Sequence, residues 1–389
     1  MGKLKPYNTG PVTARSVPFW TVGNPLGDPF GPGVLGSLTS LQVCELICQA
    51  ADDGLIERTG FHDDDLVPWD PKRPEDDLVP KSETYETLRQ IKCMLEEHGV
   101  LVNTATCNLH SDPLFRRGGL ANPDKKIRNL ANLKVARTIR IGHLLGARYL
   151  TYWVARDGFE VAESVPWKRG VYRMIADALN GACEYIRGNK FTNYIGGTIE
   201  PKPNEPRGHM FLPTAGHAVG FIQTMLNIPE FWGVNPELRQ HEAMTLLDPV
   251  TCLAFLVDMG KLFFLHFGNQ ISGQFDNDFP PLVGPEGLKE TAQMFWLLGQ
   301  LGWKGVVEYD CHMLRCEGEP RDPIGCRKQF IENCSLGLQI ALVLASRIDA
   351  REFQPNQESR TSLVSIMQMC DLAETGVLAE ARKQILTGE

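Results

Sequence analysis

Short runs rich in β-branched and aromatic residues alternate along this chain with longer stretches of helical periodicity. No other feature narrows the fold as much. The strand-like runs end near Val22, His62, Asn108, Trp153, Glu200, Asn235, Phe267 and Asp310. Between them, residues 41–51, 82–98, 127–145, 167–187 and 286–301 carry apolar side chains at helical spacing, as with Leu88, Ile91, Met94 and Leu95 on one stripe. Strands that alternate with helices form a parallel sheet, and eight is the number that closes a ring. The expected fold is therefore α/β, a (β/α)8 TIM barrel with a C-terminal helical tail. The barrel should span residues 1–345 and the tail 346–389. In the tail, residues 351–359 are polar and include Pro355, and 363–386 read as an amphipathic helix. That helix lies beyond the eighth strand, so its apolar stripe needs another surface, and a neighbouring subunit is the natural one.

Composition excludes several classes of function. The chain has 389 residues, 43% of them hydrophobic, which is ample for a large core. Its formal net charge is -8 with no basic cluster, so no nucleic-acid partner is expected. There is no apolar run of about 18 residues that would suggest a membrane span, and no secretory signal at the start. Eleven cysteines are scattered without a C-x-x-C pair. Free thiols in a reducing, cytoplasmic setting are the expectation.

In a barrel of this kind the chemistry sits at the C-terminal strand ends, and the acids and imidazoles fall there. The second strand ends in His62-Asp63-Asp64-Asp65. The fifth ends at Glu200, followed by Lys202 and Glu205. The sixth ends in Asn235-Pro236-Glu237, with His241 shortly after. The seventh carries His266, with Asp276-Asn277-Asp278 in the loop beyond, and the eighth ends in Glu308-Tyr309-Asp310. Any one of these acids alone reads as a helix cap or a surface residue. Their recurrence at successive strand ends argues against that reading. Carboxylates gathered so closely need a counter-charge, which a pair of divalent ions supplies. Oxygen ligands suit magnesium or manganese, and imidazole leaves room for manganese, cobalt or zinc.

Three stretches carry a resemblance to a known family: Phe61-His62-Asp63-Asp64-Asp65-Leu66, the run from Ile199 through Glu200-Pro201-Lys202-Pro203-Asn204-Glu205-Pro206-Arg207 to Gly208, and Gly233-Val234-Asn235-Pro236-Glu237. With these, the chain resembles the shorter class of xylose isomerases, as a divergent member. The resemblance implies a metal-dependent aldose–ketose isomerase that moves hydrogen between C2 and C1 as a hydride, with D-xylose to D-xylulose as the default and another pentose or a hexose as the alternative. It implies two divalent cations per chain (Mg2+, Mn2+ or Co2+), with Glu200, Glu237 and Asp310 on the first metal. Glu237, Asp276, Asp278 and a histidine, His241, would hold the second. Lys202 matches the lysine at the C1 carbonyl oxygen, His62 the histidine that helps open the ring, and Asp65 its aspartate partner. Trp20, Trp153, Thr106 and His110 match substrate-binding positions, and Phe30 matches an aromatic that reaches a neighbouring subunit's site. A homo-oligomer, a tetramer in the family, follows, with a monosaccharide as the small-molecule partner.

Three departures stand out. His266 occupies the place of a metal-binding aspartate, and the segment from Lys261 to Asp278 keeps the family's length, so it too is a candidate ligand. One extra residue separates Glu237 from His241; either His241 or Gln240 then serves the second metal, and imidazole is the better ligand. His110, Thr104 and Thr151 stand where the family has apolar pocket residues, which predicts a more polar pocket. An epimerase or lyase acting by proton transfer through an enediolate is the runner-up, suggested by His266. A binding protein without activity is opposed by the intact Lys202 and His62.

Overall fold

The computed structural model describes residues 10–27, 30–72, 78–161, 170–237, 244–274, 278–281 and 284–348. The chain divides into two units, Met1–Ser346 and Arg347–Glu389. The helix expected at 363–386 lies outside the described residues, as do His241, Gln240 and Asp276.

The chain opens with β1 (Val12–Ser16), α1 (Phe19–Gly23), α2 (Ser40–Asp52), β2 (Arg58–His62), α3 (Asp63–Leu66), α4 (Glu83–Glu97) and β3 (Leu101–Thr106). It continues through α5 (Lys125–Leu145), β4 (Tyr149–Trp153), β5 (Gly158–Phe159), α6 (Val171–Gly188), β6 (Gly196–Glu200) and β7 (His209–Met210). Then come α7 (Ala215–Met225), β8 (Trp232–Val234), α8 (Pro249–Asp258), β9 (Leu265–His266), α9 (Gly284–Gln300), β10 (Gly305–Glu308) and α10 (Pro323–Ala345). Eight strands form one sheet in the order β8-β6-β4-β3-β2-β1-β10-β9, and every pairing in it is parallel. Its two outer strands meet through parallel bridges at Val234↔Leu262 and Glu237↔His266. The amide of Val234 donates to the Lys261 carbonyl at 2.7 Å, and that of His266 to the Pro236 carbonyl at 3.2 Å. These bonds close the ring. β5 and β7 form a separate antiparallel pair above it.

Local sequence explains the helices. Thr39 and Gln42 make a reciprocal cap on α2, and the Ser82 and Asp124 side chains cap α4 and α5. Gly146 ends α5 at φ 79°, a left-handed position where a Cβ is disfavoured. α10 begins with Pro323 behind the Asp322 cap.

The first strand is shorter than the sequence pattern indicates. It ends at Ser16, and residues 19–23 form a helical turn rather than strand reaching Val22. Pro18 stands at the N-cap, and the amide of Val22 donates back to its carbonyl at 3.3 Å. The Thr21 hydroxyl bonds the Tyr309 carbonyl at 2.8 Å, which fixes that turn, and with it Trp20, over the end of β10.

Candidate active site

The C-terminal strand ends surround a cavity of about 370 Å³. It is lined by Trp20, His62, Asp65, Thr106, His110, Trp153, Glu200, Lys202, Glu237, Asp278 and Asp310. Thus residues from all eight of the sequence-identified strand ends or their loops meet in one place. Phe30 does not join them; it is 98% exposed on its loop.

β2 delivers His62, and the next turn delivers Asp65. The Asp65 carboxylate accepts from the His62 amide at 2.7 Å and lies 3.3 Å from His62 Nδ1. Burial disfavours charge on the imidazole, but Asp65, with Asp310 and Glu200 farther off, outweighs it and raises the pKa. Beneath this turn lies a fully buried ion cluster. Asp63 accepts from Lys134 Nζ at 2.8 and 2.9 Å, from Arg137 Nη1 at 2.5 Å and from the Asn108 amide at 2.8 Å. Arg137 also donates to the Val67 and Pro68 carbonyls. Two cations of α5 therefore clamp the segment that carries His62 and Asp65.

The walls are aromatic. Trp20 and His62 have ring centroids 4.4 Å apart, His62 and His110 5.2 Å, and His110 and Trp153 4.8 Å. Burial, reinforced by the neighbouring His62, pushes the His110 pKa well down. Lys202 Nζ lies 5.2 Å from the Trp153 ring and 3.2 Å from Glu205. The buried Thr106 hydroxyl has no hydrogen-bond partner among the described residues, which leaves it for a polar ligand.

Thr104 and Thr151 behave differently from the expectation of a polar pocket lining. Their hydroxyls bond one another at 2.5 Å, and Thr151 bonds Thr198 at 2.8 Å, all buried in the barrel interior. They sit below the cavity and satisfy each other. The polar change that reaches the cavity is His110.

One arrangement beside Trp20 is the metal-binding candidate. Glu200, Glu237, His266 and Asp310 each direct a ligand atom so that all lie within 4.8 Å of one another. Asn235 Nδ2 donates to Glu200 at 3.2 Å, and Trp20 Nε1 donates to Asp310 Oδ1 at 2.7 Å. His266 Nδ1 is 2.9 Å from Asp310, 3.4 Å from Glu200 and 3.8 Å from Glu237. It is buried and off the line that a hydrogen bond to any of them requires. A nitrogen so placed among three carboxylates fits a cation-binding centre. Burial disfavours charge on His266, but Glu200 and Asp310 outweigh it and raise its pKa well above the usual value. Burial and Glu237 raise that of Asp310. Asp278 lies nearby with φ 44°, and its carbonyl accepts from the His312 amide at 3.0 Å.

Several contributors escaped sequence reading. Trp20 is a hydrogen-bond donor to Asp310 as well as a wall. Arg156 lines the cavity and donates to the His110 carbonyl at 2.7 Å. Asp157, next to it, accepts from three amides, at 119, 120 and 121. Their signal, a buried acid beside an arginine after Trp153, has no meaning until β4 is placed next to β3.

No family model matches the chain. It is 34% identical over 313 residues to the xylose isomerase of Thermus thermophilus, covering 80% of this chain and 76% of that protein. Among solved structures, it resembles D-psicose 3-epimerase from Clostridium cellulolyticum H10 with TM-score 0.56, at 11% identity over 86% of this chain and 99% of the other. It also resembles the IolI protein with a bound zinc atom, with TM-score 0.56, at 12% identity over 86% and 99%. The two structural likenesses show the barrel fold.

Proposed function

Since the chain belongs to the xylose isomerase family, we propose that it is a divalent-metal-dependent aldose–ketose isomerase acting on a monosaccharide by a 1,2-hydride shift. The observation that carries this reading is the convergence of Glu200, Glu237, His266 and Asp310, three of which, the carboxylates, line the same cavity as Lys202 and the His62–Asp65 pair.

The residues present fit a divalent ion, with Glu200, Glu237, His266 and Asp310 as its holders. Glu237 and Asp278, joined by Asp276 and His241, are the proposed holders of a second. Bound ions would supply Lewis acidity to the sugar's carbonyl and hydroxyl oxygens. Lys202 brings positive charge to the carbonyl oxygen as it becomes negative. His62, with Asp65 at its Nδ1, presents its other nitrogen for proton transfer to the ring oxygen as the cyclic sugar opens. Trp20 and Trp153 exclude water from the reacting carbons, and the Thr106 and His110 side chains meet sugar hydroxyls.

D-xylose is the default substrate. His110 favours a sugar with an additional or reoriented hydroxyl, because a buried polar group left unpaired costs about 1–3 kcal/mol. A homo-oligomer, a tetramer by family likeness, is supported by the 98% exposure of Phe30, which would enter a neighbouring subunit's cavity. The second reading, epimerisation by proton transfer, is favoured by one observation, the imidazole of His266 among the carboxylates.

Incubating metal-loaded protein with a panel of aldoses and ketoses tests the proposal. Interconversion of an aldose with its ketose is expected. Interconversion of epimers without ketose–aldose exchange would favour the second reading, and no turnover of any sugar would reject both.

A further inference from the structure

The metal-binding face of His266 is only half of its environment. Its other nitrogen, Nε2, donates to Glu308 Oε1 at 3.2 Å. Glu308 is fully buried at the end of β10, and its second oxygen accepts from the Ser16 hydroxyl at 2.5 Å. Both oxygens of this acid are thus committed inside the barrel, one to β9 and one to β1. The opposite side of the carboxylate lies against β2. There Gly60 has no side chain, and a Cβ at that position would come within 2.8 Å of Oε2 and 2.9 Å of Oε1. No real Cβ contact is so short, so the glycine vacates the space that Glu308 fills. The acid therefore has a seat built by four strands, and it touches no part of the cavity.

We propose that Glu308 is a positioning residue of the metal centre, one that holds His266 as an Nδ1 ligand and biases the site toward a nitrogen-accepting transition-metal ion over magnesium. This rests on the metal-dependent reading above. Once a cation takes the place of the Nδ1 proton, the imidazole has one N–H and one lone pair. With the N–H committed to Glu308, the lone pair belongs to Nδ1, the nitrogen set among Glu200, Glu237 and Asp310. A carboxylate behind a ligating histidine fixes ring orientation and raises ligand basicity, and its loss costs about 10–100-fold in metal affinity. Imidazole suits later first-row ions such as cobalt and zinc, whereas magnesium takes oxygen ligands and keeps its waters. Strengthening the nitrogen ligand should therefore raise affinity for cobalt more than for magnesium. A role confined to packing would weaken both ions alike.

The test is calorimetric titration of chelator-stripped full-length protein with Co2+ and, separately, Mg2+. The wild type should bind Co2+ more tightly. Glu308→Gln keeps the shape and removes the charge. It should weaken Co2+ binding by about 10-fold or more and change Mg2+ binding far less, narrowing the preference. Gly60→Ala, which drives a methyl into the Glu308 seat, should narrow it in the same direction. If Glu308→Gln fails to fold, as judged by circular dichroism of the metal-free protein, Ser16→Ala removes only the outer bond to Glu308 and should still narrow the ratio. Equal loss of both ions in folded variants, or an unchanged ratio, overturns the positioning role. A wild type that binds neither ion overturns the metal-dependent reading itself, so the two failures are distinguishable.

Discussion

Replacing Lys134 by methionine probes the buried ion cluster beneath the turn that carries His62 and Asp65. Lys134 Nζ makes three charged hydrogen bonds, two to Asp63 and one to Asp64 at 2.9 Å. It is fully buried, as are Asp63 and Arg137. Removing one partner of a buried ion pair costs about 3–5 kcal/mol, because a charge stays behind without compensation. Arg137 remains 2.5 Å from Asp63, so the loss should sit near the low end, about 3 kcal/mol. Equilibrium unfolding in urea at pH 7 measures it. Burial opposes ionisation of Asp63, yet Lys134 and Arg137 hold its pKa below the ordinary value. A depressed carboxylate pKa contributes stability that is complete above the unfolded value, about 3.9, and is lost as pH falls through the folded value. The wild type should therefore lose stability in acid more steeply than Lys134→Met. The double variant Asp63→Asn/Lys134→Met should lose less than the sum of its single changes, by about 1–3 kcal/mol of coupling. Turnover should fall in Lys134→Met, since Asp63 directly follows His62 in the chain. Strict additivity together with wild-type turnover would refute the idea that this cluster supports the site.

Lys202→Gln should lower kcat by about 100–1000-fold, as loss of a donor at a developing oxyanion does; an effect confined to KM contradicts the assigned role. His110→Phe should raise kcat/KM for D-xylose relative to larger or epimeric sugars by about 10-fold, the scale of one altered pocket contact, and an unchanged ratio across a sugar panel rejects His110 as a selector. Phe30→Ala should lower kcat/KM without changing the assembly seen by light scattering; a monomeric wild type with full activity removes the intersubunit role.

Much of this was legible before the fold was known. His62, Glu200 and Asp310 could be placed at strand ends because short apolar runs stop abruptly in charge, and that pattern survives in the structure. Candidates that depend only on which strand end they occupy came together in one cavity. Features that depend on neighbours across the barrel did not announce themselves. Thr104 and Thr151 read as pocket residues, yet their hydroxyls bond each other in the barrel interior. Glu308 read as one more terminal acid, and its pairing with His266, 42 residues away in sequence, exists only once β9 lies beside β10. The segment around Trp20 looked like strand because of its residue types, but after Pro18 it turns as a helix that the Thr21 hydroxyl ties to the Tyr309 carbonyl. The loops around His241 and Asp276 lie outside the described residues, so the second cation site rests on the resemblance and on Glu237 and Asp278.

The path of the transferred hydrogen tests the central claim most directly. Aldose labelled with deuterium at C2 is incubated with the metal-loaded protein in ordinary water, and the ketose formed is analysed by mass spectrometry. A 1,2-hydride shift predicts that the ketose retains the deuterium, now at C1, through the whole course of conversion. Washout of the label into solvent at the rate of conversion would contradict the account and assign the site to proton transfer through an enediolate.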